Sequence, residues 1–130
     1  MKYTREEKRK FGIFRLVNSF KYSIDGLKYA LVHEQNLVIH FIIAFLVVLF
    51  GFLFHLELFE WVILLFAIGS VISAELLNSA LEATVDLITE EKKKNAKIAK
   101  DIGSTSVLLF AIAAAIIGVL IFLQKLIALF

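Results

Sequence analysis

Glu75, Asn78, Glu82 and Asp86 stand at relative positions 0, 3, 7 and 11 of one long apolar segment. At about 100° per helical residue they fall at roughly 0°, −60°, −20° and +20°, a single narrow stripe of one helix. An ionisable group in hydrocarbon costs at least about 2.5–3.5 kcal/mol on insertion scales. Three carboxylates on one stripe therefore need a reason, such as a metal ion, a proton path or a partner subunit. Glu75 lies deepest in the apolar segment and is the candidate general base. Glu82 lies about two helical turns nearer the polar end. Hard cations such as Mg²⁺ take one or two carboxylates together with phosphate oxygens and water, and Glu82 suits that role. Glu34, just before another apolar run, can supply the second carboxylate if the two regions pack. Lys100 and Asp101 precede a third apolar run, where an ammonium can neutralise phosphate charge. Blander readings stand beside these. Lys100 alone also fits an interfacial lysine, and Glu82 or Asp86 alone also fits a helix-end carboxylate that meets loop lysines.

The elements that must carry these groups are legible in the apolar pattern. Phe11, Phe14, Leu16, Val17, Phe20, Ile24, Leu27, Ala30 and Leu31 recur at spacings near three and four, with Arg15, Lys21 and Lys28 between them. That is the pattern of an amphipathic helix lying on a membrane surface, expected over about residues 8–33. Spans are expected over about residues 37–54, 58–86 and 104–124, each able to cross roughly 30 Å of hydrocarbon at about 1.5 Å per residue. His40 is the one titratable residue in the body of the first span. The connector between the first two spans holds no Lys or Arg and is flanked by Phe54, Phe59 and Trp61, an interfacial aromatic cluster. The predicted fold is all-α and integral to the membrane, with three transmembrane helices plus an N-terminal amphipathic surface helix in a single domain, 1–130.

Composition narrows the function. The chain is 60% hydrophobic, too apolar for an ordinary soluble domain. It has no Cys, which excludes disulfides and thiolate metal sites. The first apolar run begins near Leu37 after a charged stretch, so no cleavable secretory signal is expected. Of the 14 Lys and Arg, eight lie in residues 1–36, none in the first connector, five in the second (Lys92, Lys93, Lys94, Lys97, Lys100) and one, Lys125, near the end. The positive-inside bias then puts the N-terminus and the 87–104 loop in the cytoplasm. The six glycines are dispersed and form neither a GxxxxGK[ST] nor a GxGxxG loop. If a nucleotide binds, side chains and metal must hold its phosphates.

AELLNSALEATVD (74–86) followed by AKIAKDIGSTSVLL (96–109) resembles the signature of the small bacterial membrane lipid kinases, the diacylglycerol kinase family that includes undecaprenol kinase. The shared pattern is approximately E-x-x-N-[ST]-A-[IL]-E-x-x-x-D and then A-K-D-x-[GA]-[SA]. GLKYALVHEQN (26–36) resembles the segment that carries the family's other catalytic glutamate. The likeness covers essentially residues 11–125. It implies a homotrimer with active sites shared between neighbouring chains, and transfer of the γ-phosphoryl of ATP to a lipid hydroxyl with Mg²⁺. It further implies Glu75 as the base and Glu34 and Glu82 as the metal-associated carboxylates. Asn78 and Asp86 then support the site, Lys100 and Asp101 help bind ATP, and Arg15 and Tyr22 add contacts from the surface helix. The implied partners are ATP, a membrane lipid alcohol and the bilayer of a bacterial cell membrane, with no nucleic acid.

Two stretches depart from the family pattern. TEEKKKNAK (89–97) is lysine-rich where relatives often carry an aromatic residue and a His, and Val38 stands where relatives often place Arg. The extended basic N-terminus and the EQNLVIH segment resemble the undecaprenol-preferring branch, with diacylglycerol as the alternative acceptor. Two other classes use fewer of these residues. A small proton-coupled transporter would need Glu75 but not Glu82, Lys100 or Asp101, and a membrane scaffold would tolerate apolar replacement along the whole stripe.

Overall fold

The structure, a computed structural model, describes residues 12–89, 91 and 93–128. The expected surface helix therefore loses its residues 8–11, and the basic loop its Lys92, to the part outside the described residues. Four helices follow in order, α1 (Ile13–His33), α2 (Gln35–Leu53), α3 (Leu58–Ile88) and α4 (Lys94–Ile127). Contacts divide the chain into two compact units, residues 1–33 with α1 and residues 34–130 with α2, α3 and α4.

Within α1, the hydroxyls of Ser19 and Ser23 donate back to the carbonyls of Arg15 and Ser19, both at 2.9 Å. The ring of His33 stacks on Tyr29 with centroids 4.0 Å apart. Arg15 and Tyr22 lie about two turns apart on this helix and share a face.

In the second unit, α2, α3 and α4 are 19, 31 and 34 residues long, each long and apolar enough to cross a membrane. At about 1.5 Å per residue α3 and α4 run roughly 45–50 Å, longer than the hydrocarbon layer, so their polar ends project beyond it. Few side chains are sealed inside the unit, and Phe45, Phe52, Phe66 and Leu109 lie largely exposed. An exterior this apolar is the surface of a chain whose solvent is lipid.

Within this unit α2, α3 and α4 run antiparallel in turn. The turn between α2 and α3 closes with a Leu56 N–H to Gly51 carbonyl bond of 3.1 Å. It passes through His55, whose φ of 50° is a left-handed conformation that His adopts more readily than a β-branched residue does. Beside that turn α2 comes close to α3, and a Cβ built on Gly51 would lie 2.6 Å from Cη2 of Trp61. Gly51→Ala is expected to destabilise the protein by about 1–2 kcal/mol, as overpacking outweighs the better helix propensity of alanine. Thermal denaturation in detergent would check this, with recovery in the Gly51→Ala, Trp61→Phe double variant. A small core of Leu56, Leu64 and Ile121, with Val47, Trp61 and Ile117 against it, ties this end of α3 to α2 and α4.

Charge pairs mark the two ends of the α3–α4 hairpin. Lys125 Nζ lies 2.7 Å from Glu60 Oε2, and Glu60 Oε2 also accepts the Glu57 N–H at 2.7 Å, which closes the start of α3. At the other end Lys100 Nζ lies 2.6 Å from Asp86 Oδ1. These two pairs bracket the hairpin that carries the acidic stripe.

Candidate functional site

The inward face of α3 changes character along its length. Leu64, Ala67, Val71 and Ala74 are buried, and the next buried position is Glu75, only 2% exposed. The same face continues through Asn78 and Glu82, which are half-buried, to Asp86, whose side chain is 57% exposed. The packing stripe of α3 is therefore apolar in its first half and polar in its second. The Ser79 and Thr84 hydroxyls satisfy themselves by donating back to the helix, Ser79 to the Glu75 carbonyl at 3.0 Å and Thr84 to the Ala80 carbonyl at 2.7 Å.

Glu75 faces α2. The Asn36 side chain lies toward its carboxylate, and His40, Glu34 and Glu82 lie within electrostatic range. Asn36 and His40 are one turn apart and so share a face of α2. Asn78 Nδ2 donates to Glu82 Oε1 at 2.9 Å. Because a carboxylate only accepts, the amide nitrogen must point at Glu82 and the amide oxygen away from it. Lys100 is engaged by Asp86, and Asp101 by Lys97 Nζ at 2.7 Å.

The structure thus brings Glu34, Glu75, Asn78 and Glu82 into one neighbourhood and pairs Asp86 with Lys100. Asp101 faces Lys97, and Arg15 and Tyr22 lie on α1 in the other unit. Asn36 and His40 are additions to the residues picked out by sequence. Their signal was available, since two polar residues four apart at the head of an apolar helix share a face as the α3 stripe does.

Among the described residues no group of three or more His, Asp or Glu is arranged to hold a metal ion by itself. The oxygen donors of Glu34 and Glu82 nonetheless suit a hard cation that completes its shell with phosphate oxygens and water, the usual habit of Mg²⁺. Two apolar furrows flank the acids. One, of about 440 Å³, lies between α2, α3 and α4, is lined by Ala67, Val71, Ala115 and Gly118, and ends at His40. The other, of about 790 Å³, lies between α3 and α4 and reaches Asn78 and Gly103.

Three membrane-length helices around a sealed glutamate and a graded row of acids define an all-helical membrane protein with a polar site at one end of its spans. A family model described as prokaryotic diacylglycerol kinase matches residues 21–122. The undecaprenol kinase of Bacillus subtilis is 43% identical over 112 residues, which cover 86% of this chain and 91% of that protein. A diacylglycerol kinase of Synechocystis is 39% identical over 115 residues, 88% of this chain and 66% of that longer protein. One from Haemophilus influenzae is 35% identical over 108 residues, 83% and 89% of the two chains. The chain belongs to the prokaryotic diacylglycerol kinase family, a family of lipid kinases, as the two signature segments implied.

Proposed function

We propose that this chain transfers the γ-phosphoryl of ATP to the hydroxyl of a membrane lipid alcohol, with undecaprenol as the acceptor. The observation that carries the reading is Glu75, nearly sealed on a membrane-length helix with Asn36, Glu34 and Glu82 nearby. Phosphoryl transfer asks little covalent chemistry of the protein; it asks for positioning, charge neutralisation and a group that orients the nucleophilic hydroxyl. Glu75 takes the proton of the lipid hydroxyl, and Asn36 holds its carboxylate in place. Glu34 and Glu82 would hold Mg²⁺, which when bound neutralises charge on the phosphates. Asn78 orients Glu82, and Asp86 holds the Lys100 ammonium until nucleotide phosphate competes for it. Asp101, Arg15 and Tyr22 contribute to ATP binding. The apolar furrow that ends at His40 offers hydrocarbon lining beside the base, which suits a lipid acceptor.

The chain works as a homotrimer with sites shared between neighbours, in keeping with the thinly sealed second unit and its open furrows. It sits in the bacterial cell membrane with its N-terminus and the acidic end of α3 in the cytoplasm and α1 on the membrane surface, so that ATP arrives from water and the lipid arrives laterally. Residues 1–130 act as one lipid-kinase domain.

The likeness to an undecaprenol kinase over most of both chains supports undecaprenol, and the likeness to diacylglycerol kinases supports diacylglycerol as the second acceptor. Purified protein with Mg²⁺, γ-labelled ATP and each alcohol in parallel decides between them. Label is expected in undecaprenyl phosphate. Label confined to phosphatidic acid would reverse the order, and label in neither would end the kinase reading for this chain.

A further inference from the structure

The furrow between α2, α3 and α4 turns from apolar to polar at one end, on two of its walls. On α3 it is lined by Ala67, Val71 and Ile72, and the buried face of that helix reaches Glu75 one turn after Val71. On α2 it is lined by Val47 and Ala44 and then by His40, with Asn36 one turn beyond on the same face. His40 and Glu75 lie within electrostatic range of each other, so the polar groups of the two walls meet at this mouth. Among the described residues that line the furrow, His40 is the only polar one. On α4 the lining runs from Ala111 to Phe122, roughly 16 Å along the helix and about half the depth of a hydrocarbon layer.

Bilayer hydrocarbon is as apolar as this furrow, so a lipid tail gains no hydrophobic energy by entering it. Selection then rests on steric fit and on which polar atoms are left without partners. A hydroxyl carried directly on hydrocarbon leaves none. The mouth offers a carboxylate to accept its proton and an imidazole N–H to donate to its oxygen. Ester carbonyls next to the hydroxyl, as in diacylglycerol, would lie against Ala44 and Ile72 with no donor, at a cost of about tenfold for each one unpaired.

We propose that this furrow holds the tail of an acceptor whose hydroxyl is carried directly on a hydrocarbon chain, and that His40 is a catalytic residue that donates to the hydroxyl oxygen while Glu75 takes the proton. The inference rests on the kinase reading and adds to it a tail site, a second group on the hydroxyl and a chemical reason for preferring a prenol. In the step itself, a free electron pair of the hydroxyl oxygen forms the bond to the γ-phosphorus. The bond from that phosphorus to its bridging oxygen breaks with the pair leaving on ADP, and the hydroxyl proton passes to Glu75. An imidazole has a ring N–H whether charged or not, so the part of His40 needs no change of charge. Gly118 gives access to the tail site, because a Cβ built there has nothing within 4 Å and a larger side chain grows into open furrow.

The test uses the full-length protein purified in detergent with lipid, γ-labelled ATP and Mg²⁺, with undecaprenol, geranylgeraniol and diacylglycerol as acceptors. Gly118→Leu is expected to leave the melting temperature unchanged or higher, because leucine is the better helix former. It should raise the KM for undecaprenol by about tenfold and leave the KM for ATP as it was. An unchanged KM for undecaprenol, or an equal rise for ATP, overturns the tail site. A fall in melting temperature shows that protein fills the furrow and overturns it too. His40→Ala is expected to lower kcat/KM for undecaprenol by about tenfold, the scale of one hydrogen bond in a buried site, again with the KM for ATP unmoved. His40→Gln, which keeps an N–H donor, should regain most of that loss. Full activity in His40→Ala, or no recovery in His40→Gln, removes His40 from the hydroxyl. Should His40→Ala fail to fold, His40→Gln alone decides, and activity near the parent's supports the assignment. The parent should label geranylgeraniol with a higher kcat/KM than diacylglycerol. The reverse order overturns the proposed acceptor chemistry and leaves the kinase reading standing. A parent that labels no alcohol ends the kinase reading, and the present inference falls with it.

Discussion

Glutamine in place of Glu75 should leave a folded, nucleotide-binding protein with almost no turnover. The amide matches the carboxylate in shape and can still pair with Asn36, which lies toward position 75. What it cannot do is take a proton from a hydroxyl. General base catalysis contributes about 10²–10⁴-fold, and a loss of that order is expected in the rate at saturating ATP and lipid. Stability should move the other way or not at all. Position 75 is 2% exposed, and a neutral side chain relieves the cost of holding an ionisable group out of water. Such a site keeps function at the expense of stability, and a polar base in an apolar span is the physical form of that trade. Labelled-ATP transfer, ATP binding and thermal denaturation on the same preparation check the three parts together. If ATP binding disappears along with turnover, Glu75 holds the nucleotide and is not the base.

Glu82→Gln should fail differently. The replacement can still accept the 2.9 Å bond from Asn78 Nδ2, so local geometry survives and only the negative charge is lost. A hard cation loses a charged oxygen ligand, and the Mg²⁺ required for half-maximal rate should rise by at least about tenfold. Excess Mg²⁺ should then recover part of the Glu82→Gln rate but none of the Glu75→Gln rate. An unaltered Mg²⁺ dependence excludes Glu82 as a ligand. The contrast between the two variants assigns the deeper carboxylate to proton transfer and the shallower one to the metal, a division that neither variant shows alone.

Much of the fold was legible because its signals are local. Three apolar runs separated by a short aromatic connector and a lysine-rich loop read directly as spans, and the family was legible in the segments 74–86 and 96–109. The acidic stripe was legible too, because the 3.6-residue period places Glu75, Glu82 and Asp86 on one face whatever that face packs against. The partners of the stripe were much less so. Nothing in the spacing of Asn36 and His40 says that they meet Glu75, and nothing in the sequence pairs Lys100, which by itself read better as an interfacial lysine, with Asp86, 2.6 Å from its ammonium. Gly103, legible only as part of a family pattern, is found with Asn78 close against it.

By itself the sequence determined which residues share a helix face, how long each apolar run is and where charge is tolerated, since these follow from helical geometry and transfer free energy along one segment. Tertiary structure alone decided which faces meet and in what register. That choice rests on steric fit between distant positions, where Gly51 admits Trp61 and Gly103 admits Asn78, and on charge pairs that close the ends of a hairpin. Such contacts exist only after the helices have packed, so no local period in the chain encodes them.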